Sequence, residues 1–218
     1  MADRRPAREQ PRSFDWNEAN EAWCKAQLEK YPEGRQASAV IPFLWRAQKQ
    51  EGWISIAAME VIAAQLGMPY IRVYEVATFY TMFNLKPVGT YFVQLCGTTP
   101  CALRGAESLA DVCREVIGPQ NAVTGSGNLS WLEVECLGAC CNAPMAQIND
   151  YYYQDLSPEM FREMLKRMDQ GEHVEPGVFN EGRHTSDPEG DNTTLTDESI
   201  YSGKQAVPLT KLPNTDVA

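Results

Sequence analysis

Between residues 14 and 88 the apolar positions recur at helical spacing, and proline, glycine and capping residues mark the breaks. Asp15 followed by Glu18 predicts a capping box, opening a helix that runs to about Lys30 before "YPEG" stops it. A second helix is predicted from Gln36 to Gln50, with Pro42 as a kink or a late start. Ser55 is placed to cap a third, "ISIAAMEVIAAQLG", which Gly67 ends. Pro69 opens a fourth, "PYIRVYEVATFYTMFN", whose apolar residues cover more than one face. Four short helices with brief connections predict a small bundle.

At Lys86–Gly89 the period changes. "TYFVQLC" (Thr90 to Cys96) is β-rich, and "LSWLEVEC" (Leu129 to Cys136) alternates; each ends in a cysteine. Between them Cys101 to Ile117 reads as a helix with Leu109, Val112, Cys113, Val116 and Ile117 on one side. "MAQIND" and "YYYQDL" predict a hairpin turning at Asn149–Asp150, and Ser157 to Gly171 a capped amphipathic helix. From Pro176 to Ala218 the periodicity fades. Turn-forming residues dominate there, with seven acids against three bases, which predicts an extended or disordered acidic tail. The chain therefore reads as α+β, with a helical bundle at 14–88, a mixed-sheet domain at 89–175 and a tail at 176–218.

With 44% hydrophobic residues the chain can bury a core, yet no stretch approaches the roughly 18 apolar residues of a membrane span. The opening "MADRRPAREQPRSF" has neither the apolar core of a secretory signal nor the acid-poor pattern of a transit peptide, so a chain retained where it is made is expected. A net charge of −10 with no basic patch argues against nucleic-acid binding. Histidine narrows the chemistry further. Only His173 and His184 occur, both in the polar C-terminal stretch, so a Ser–His–Asp triad, a Cys–His pair and a Cys/His zinc finger are disfavoured.

The remaining candidate chemistry is sulfur. Of seven cysteines, four fall in two pairs, Cys96 with Cys101 in "CGTTPC" and Cys136 with Cys140 in "CLGAC", separated by 34 residues. Each pair follows a predicted strand, and parallel strands would bring both loops to one sheet edge. Two thiolates per iron suit a [2Fe–2S] cluster. Zinc knuckles and thioredoxin-like dithiols favour C-x2-C, which neither pair has. The small residues Gly97, Thr98, Thr99, Gly138 and Ala139 leave room for backbone N–H groups to reach the sulfurs, or simply serve turns. Cys24 and Cys113 read as small buried hydrophobes. Spacing from Cys136 permits either Cys140 or Cys141 as the partner. The neighbour left over reads first as a small hydrophobe buried under the loop, and otherwise as a nearby thiol that shapes the polarity around the site.

"CGTTPC", "CLGACCNAPMAQI", "YPEGRQASAVIPFLWRAQKQEGW" and "EVATFYTMF" resemble the thioredoxin-like [2Fe–2S] E subunits of NADH:quinone oxidoreductase (respiratory complex I) over about residues 14–171. The resemblance implies a helical bundle followed by a thioredoxin-like ferredoxin domain, with Cys96, Cys101, Cys136 and Cys140 as cluster ligands. It implies an electron-carrying component of an NADH dehydrogenase, exchanging one electron with the flavin of a partner. FMN and NADH would be bound by that partner; "TGSGN" precedes a strand and is no dinucleotide fingerprint. A larger iron–sulfur subunit and the rest of complex I would complete the assembly, peripheral on the cytoplasmic, inner face of the plasma membrane. Related subunits serve NAD-linked hydrogenases and formate dehydrogenases; a zinc-stapled interaction module and a thioredoxin-like thiol enzyme are the remaining alternatives. Part of the aromatic-rich fourth helix is expected to face the flavin subunit, unless Phe79, Tyr80 and Phe83 form the seam between the two domains.

Overall fold

In the computed structural model, which describes residues 4–183 and 185, the N-terminal segment folds into four α-helices. They are α1 (Glu18–Leu28), α2 (Val40–Glu51), α3 (Ile56–Leu66) and α4 (Tyr70–Phe79). Their buried faces enclose Phe43, Leu44, Ile54, Met59, Ile62 and Phe83. Asn17, rather than Asp15, caps α1: its Oδ1 accepts from the Asn20 N–H at 2.8 Å. The Asp15 carbonyl instead accepts from Gln50 Nε2. Pro42 acts as a late-start signal. A 3-10 turn (Gln36–Ala39) leads into α2, so Pro42 lies in the first helical turn, where its missing N–H costs nothing. Ser55 caps α3 and Gly67 ends it in the left-handed region at φ 61°.

The fourth helix is shorter than its apolar pattern predicts and stops at Phe79, with Tyr80 already extended. Arg4 explains the stop. Its guanidinium donates to the carbonyls of Ala77 (2.7 Å), Thr78 (3.2 Å), Tyr80 (2.8 Å) and Phe83 (2.8 Å). Those carbonyls thus find a cation in place of further helical N–H groups. Phe83 turns into the core, whereas Phe79 is 78% exposed and Tyr80 and Met82 are also exposed. Phe79 is therefore no seam residue.

The chain beyond the helical segment builds a five-stranded mixed sheet in the order β2-β1-β3-β4-β5. The strands are β1 (Tyr91–Cys96), β2 (Leu129–Val134), β3 (Ala146–Ile148), β4 (Tyr151–Gln154) and β5 (Gly177–Val178). β1 runs parallel to β2 and antiparallel to β3; β3 and β4 form the expected hairpin, with Asn149 at φ 54° in its turn. Gly89 allows β1 to lie this close to β2: a Cβ there would sit 2.5 Å from the Leu129 carbonyl carbon. The predicted helix over 101–117 is two helices, α5 (Thr99–Leu103) and α6 (Ala106–Val116), broken at Gly105 with φ 100°.

α6 and α7 (Pro158–Asp169) pack together and against the sheet. On α7, Phe161, Met164, Leu165 and Met168 follow the i, i+3, i+4, i+7 spacing of one buried face. They join Leu109, Val112, Cys113, Val93, Leu95 and Trp131 in the core. Lys49 on α2 pairs with Asp150 in the hairpin turn, linking helical segment and sheet. The stretch read as tail from residue 176 begins with β5, which pairs parallel to β4; its remainder beyond residue 185, like His184, lies outside the described residues. Among the described residues no helix is long and apolar enough to cross a membrane.

Candidate metal centre

The parallel pairing of β1 and β2 sets Cys96 opposite Val134, so the chain leaves both strands at one edge of the sheet. Cys96 ends β1, and Cys136 follows β2 by one intervening residue. Beyond Cys96 the chain turns at once into α5, which carries Cys101. Beyond Cys136 it passes Gly138, at φ 82°, into a 3-10 turn, Cys140–Asn142. A small apolar floor supports both loops, built from Ala106, Ala139, Ala143 and Met145 together with Cys96 and Cys101. Tyr152 on β4 fastens the second loop by donating its hydroxyl to the Leu137 carbonyl at 2.6 Å. The outcome is one buried pair, Cys96 and Cys101, beside one exposed pair, Cys136 and Cys140.

Hydrogen bonds within and between the pairs divide the thiols by acidity. Burial pushes Cys96 up, but hydrogen bonds from the Thr98 side chain and backbone, the Leu137 backbone and Cys101 outweigh it and hold Cys96 below the ordinary thiol range. Cys101 is pushed up to about 12 by its burial, by its hydrogen bond to Cys96 and by the charge there. The Gly138 N–H, 3.4 Å from Cys136 Sγ, lowers Cys136, helped by Cys140 and Thr98. Cys140 is raised, first by its contact with Cys136, whose sulfur lies 3.5 Å away. Within each pair, the surroundings thus favour proton loss from one sulfur over the other. Thr98 contacts Cys96 at 3.4 Å and also reaches Cys136, and the Leu137 backbone, next to Cys136, reaches Cys96, so the two pairs are neighbours.

Cys141 stands apart from this set. Its thiol donates to Asn142 Oδ1 at 3.3 Å, and it is exposed, which corrects the expectation of a buried residue under the loop. Adjacent side chains on a tight turn diverge. With Cys140 turned towards Cys136, Cys141 is directed outward. Cys24 and Cys113 are buried in the two cores, as their apolar settings implied. His173 is an exposed partner of Glu175. Backbone N–H groups were expected to reach the sulfurs among the small residues, and those of Thr98 and Gly138 do reach Cys96 and Cys136; the Thr98 hydroxyl at Cys96 and Tyr152 as a loop anchor were not foreshadowed by the pattern. The alternation in "YYYQ" places Tyr152 on the face opposite Tyr151 and Tyr153, but nothing local in the sequence shows what its hydroxyl reaches.

No three His, Cys, Asp or Glu side chains among the described residues are arranged to hold a single metal ion. The sulfurs are instead grouped two and two. Soft thiolates, two for each of two irons, are the donor set of a [2Fe–2S] cluster, and the four thiols present fit that group.

Comparison with known proteins agrees with this geometry. Residues 24–169 match the family model described as thioredoxin-like [2Fe-2S] ferredoxin. The first of the NADH-quinone oxidoreductase E subunits of Rhizobium meliloti (strain 1021) is 49% identical over 206 residues, covering 93% of this chain and 74% of that protein. The NADH-quinone oxidoreductase E subunit of Rickettsia bellii (strain RML369-C) is 46% identical over 158 residues, covering 72% of this chain and 95% of that protein. Among solved structures, an NAD+-reducing [NiFe]-hydrogenase in the H2-reduced state superposes with a TM-score of 0.56 at 17% identity, covering 63% of this chain and 23% of that one. This last likeness is one of fold. The chain belongs to the thioredoxin-like [2Fe-2S] ferredoxin family and, within it, to the family of NADH-quinone oxidoreductase E subunits.

Proposed function

We propose that Cys96, Cys101, Cys136 and Cys140 hold this family's [2Fe–2S] cluster, and that the chain carries single electrons to and from the flavin of a partner subunit in an NADH-quinone oxidoreductase. The observation that carries the reading is the meeting of two thiol pairs at one end of parallel β1 and β2. When bound, the cluster supplies a site that gains or gives up one electron at a time. The chain's own residues set the conditions. The buried Cys96 and Cys101 lie on an apolar floor that keeps water from one side of the site. Thr98 at Cys96, and the Gly138 N–H at Cys136, draw negative charge away from the sulfurs and so favour the reduced form. Cys136 and Cys140 open onto the surface, where an electron enters or leaves over a short path.

The partner surface lies in the helical segment. Ile71, Phe79, Tyr80 and Met82, on and just after α4, are exposed apolar side chains of the kind that a partner covers. The flavin subunit, which binds FMN and NADH, is the proposed occupant, with a larger iron–sulfur subunit beyond it. The assembly would hold this chain at the inner, cytoplasmic face of the plasma membrane without inserting it.

Anaerobic purification tests the reading. About two irons and two sulfides per chain are expected, with a paramagnetic signal that appears on one-electron reduction. Stoichiometric zinc without sulfide, in protein made with ample iron, refutes it.

A further inference from the structure

The family match ends at residue 169, but the chain beyond it returns to the metal centre. Tyr153 donates its hydroxyl to the Val174 carbonyl at 2.8 Å, and β5 then adds to the sheet beside β4. Phe179 stacks on Tyr153 with ring centroids 6.0 Å apart, and its N–H donates to the Gln154 carbonyl at 2.9 Å. Two side chains further on complete the attachment. Thr185 meets Gln154 Nε2 at 3.3 Å, and Arg183 points back to the turn that carries Cys140.

Arg183 Nη2 donates to the Cys141 carbonyl at 2.6 Å, and Nη1 donates to Asp155 Oδ1 at 3.2 Å. The other oxygen of Asp155 accepts from Asn142 Nδ2 at 2.8 Å. The Asp155 N–H donates to the Asn142 carbonyl at 2.9 Å. One guanidinium therefore grips the Cys140–Asn142 turn twice, directly through a carbonyl and indirectly through a carboxylate. The pair is unlike an ordinary surface ion pair. Arg183 is 40% exposed, but the Asp155 side chain is only 4% exposed and Asn142 is 1% exposed. A carboxylate so enclosed loses much of its stabilisation if its cation is removed.

We propose that Arg183 is a positioning residue for the cluster: the strap from residue 174 to 183 clamps the Cys140 turn through Cys141 and Asp155, and so governs how firmly that ligand is held. The proposal rests on the functional reading above. Opening of the turn, which a ligand exchange at Cys140 requires, has to break the grip of Arg183 first. No covalent step is involved, and Arg183 acts on the turn's backbone and on Asp155, not on the four sulfurs.

The test compares the full-length wild type, Arg183→Ala and Arg183→Lys, all purified anaerobically. Hydrogen exchange of the peptide covering residues 139–143, transfer of iron to a chelator, and the paramagnetic spectrum of the reduced protein are read on each. In Arg183→Ala, exchange and iron release should both rise about tenfold, as expected for losing hydrogen bonds to a charged group, and the spectrum should change shape. Arg183→Lys keeps the cation but lacks the fork that reaches both acceptors, so it should fall between the two. Unchanged exchange in Arg183→Ala overturns the proposal. Faster exchange with unchanged iron release and spectrum also overturns it, since the strap would then secure only the sheet edge. A wild type without iron refutes the functional reading instead, and the exchange data would still report the clamp separately.

Discussion

Replacing Arg4 by alanine removes a cation that satisfies four carbonyls at the end of α4, at 2.7 to 3.2 Å. Burial lowers the Arg4 pKa, yet a guanidinium remains charged at neutral pH. Hydrogen bonds to charged groups contribute about 1.5–3 kcal/mol each. They are not additive here, because Tyr80 is exposed and its carbonyl can regain water once the arginine is gone. The favourable charge at a helix C-terminus adds about 0.3–1 kcal/mol. A loss of about 2–3 kcal/mol in all is the working figure, with Ala77 and Phe83 the costliest carbonyls to abandon. For a chain of this size about 1 kcal/mol moves Tm by about 2–4 °C. Thermal unfolding followed by far-ultraviolet circular dichroism should therefore show Arg4→Ala melting about 5–10 °C below wild type. Arg4→Lys, a single-point cation, should recover about half of the loss. The same turn displays Phe79, Tyr80 and Met82, so the Ala variant should also bind the flavin subunit more weakly. A melting temperature within about 1 °C of wild type would refute the reasoning.

Three further outcomes are expected. Phe79→Asp changes a side chain 78% exposed, so the isolated chain should melt as wild type while affinity for the flavin subunit, measured by calorimetry, falls at least about tenfold; unchanged affinity would exclude this face from the interface. Gly138→Ala puts a Cβ at φ 82°, straining the loop by about 1–2 kcal/mol and weakening the Gly138 N–H contact to Cys136; lower iron content and a shifted midpoint potential in a redox titration would show it. Asn17→Ala removes the α1 cap at a cost of about 1 kcal/mol, seen as a small drop in Tm without any change in iron content, whereas Asp15→Ala should cost less.

The bundle, the two cysteine-ended strands and the two thiol pairs were legible because local chemistry announces them, whereas the parallel pairing of the strands was only the condition under which the loops would meet. Ser55 and Gly67 delimit α3, and a cysteine stands at or just beyond each strand end. What escaped the sequence depends on partners far along the chain. Asp15 with Glu18 and Asn17 with Asn20 are overlapping caps of similar quality, and Gln50 drew the Asp15 backbone away from the first. The end of α4 is fixed by Arg4, more than seventy residues earlier, so its own apolar pattern could not locate it. Gly105 splits a continuous amphipathic run because its backbone turns to φ 100°, which the flanking periodicity does not register. Cys141 was expected inside because free cysteines usually are, but a turn that aims Cys140 at Cys136 directs its neighbour outward. Arg183 was hidden for another reason. Its surroundings have the composition of a tail, and only the pairing of β5 with β4 brings it back to Asp155.

The central claim is that the cluster is held two and two, with Cys140 rather than Cys141 completing the second pair. Iron, acid-labile sulfide and the paramagnetic spectrum of the reduced protein, measured side by side on anaerobically purified Cys140→Ser and Cys141→Ala, test it most directly. Cys141→Ala should retain about two irons and two sulfides per chain with a near-native spectrum, while Cys140→Ser, offering a harder oxygen donor, should lose the cluster or show a strongly altered one. Loss of iron from Cys141→Ala with a native spectrum in Cys140→Ser would contradict the account.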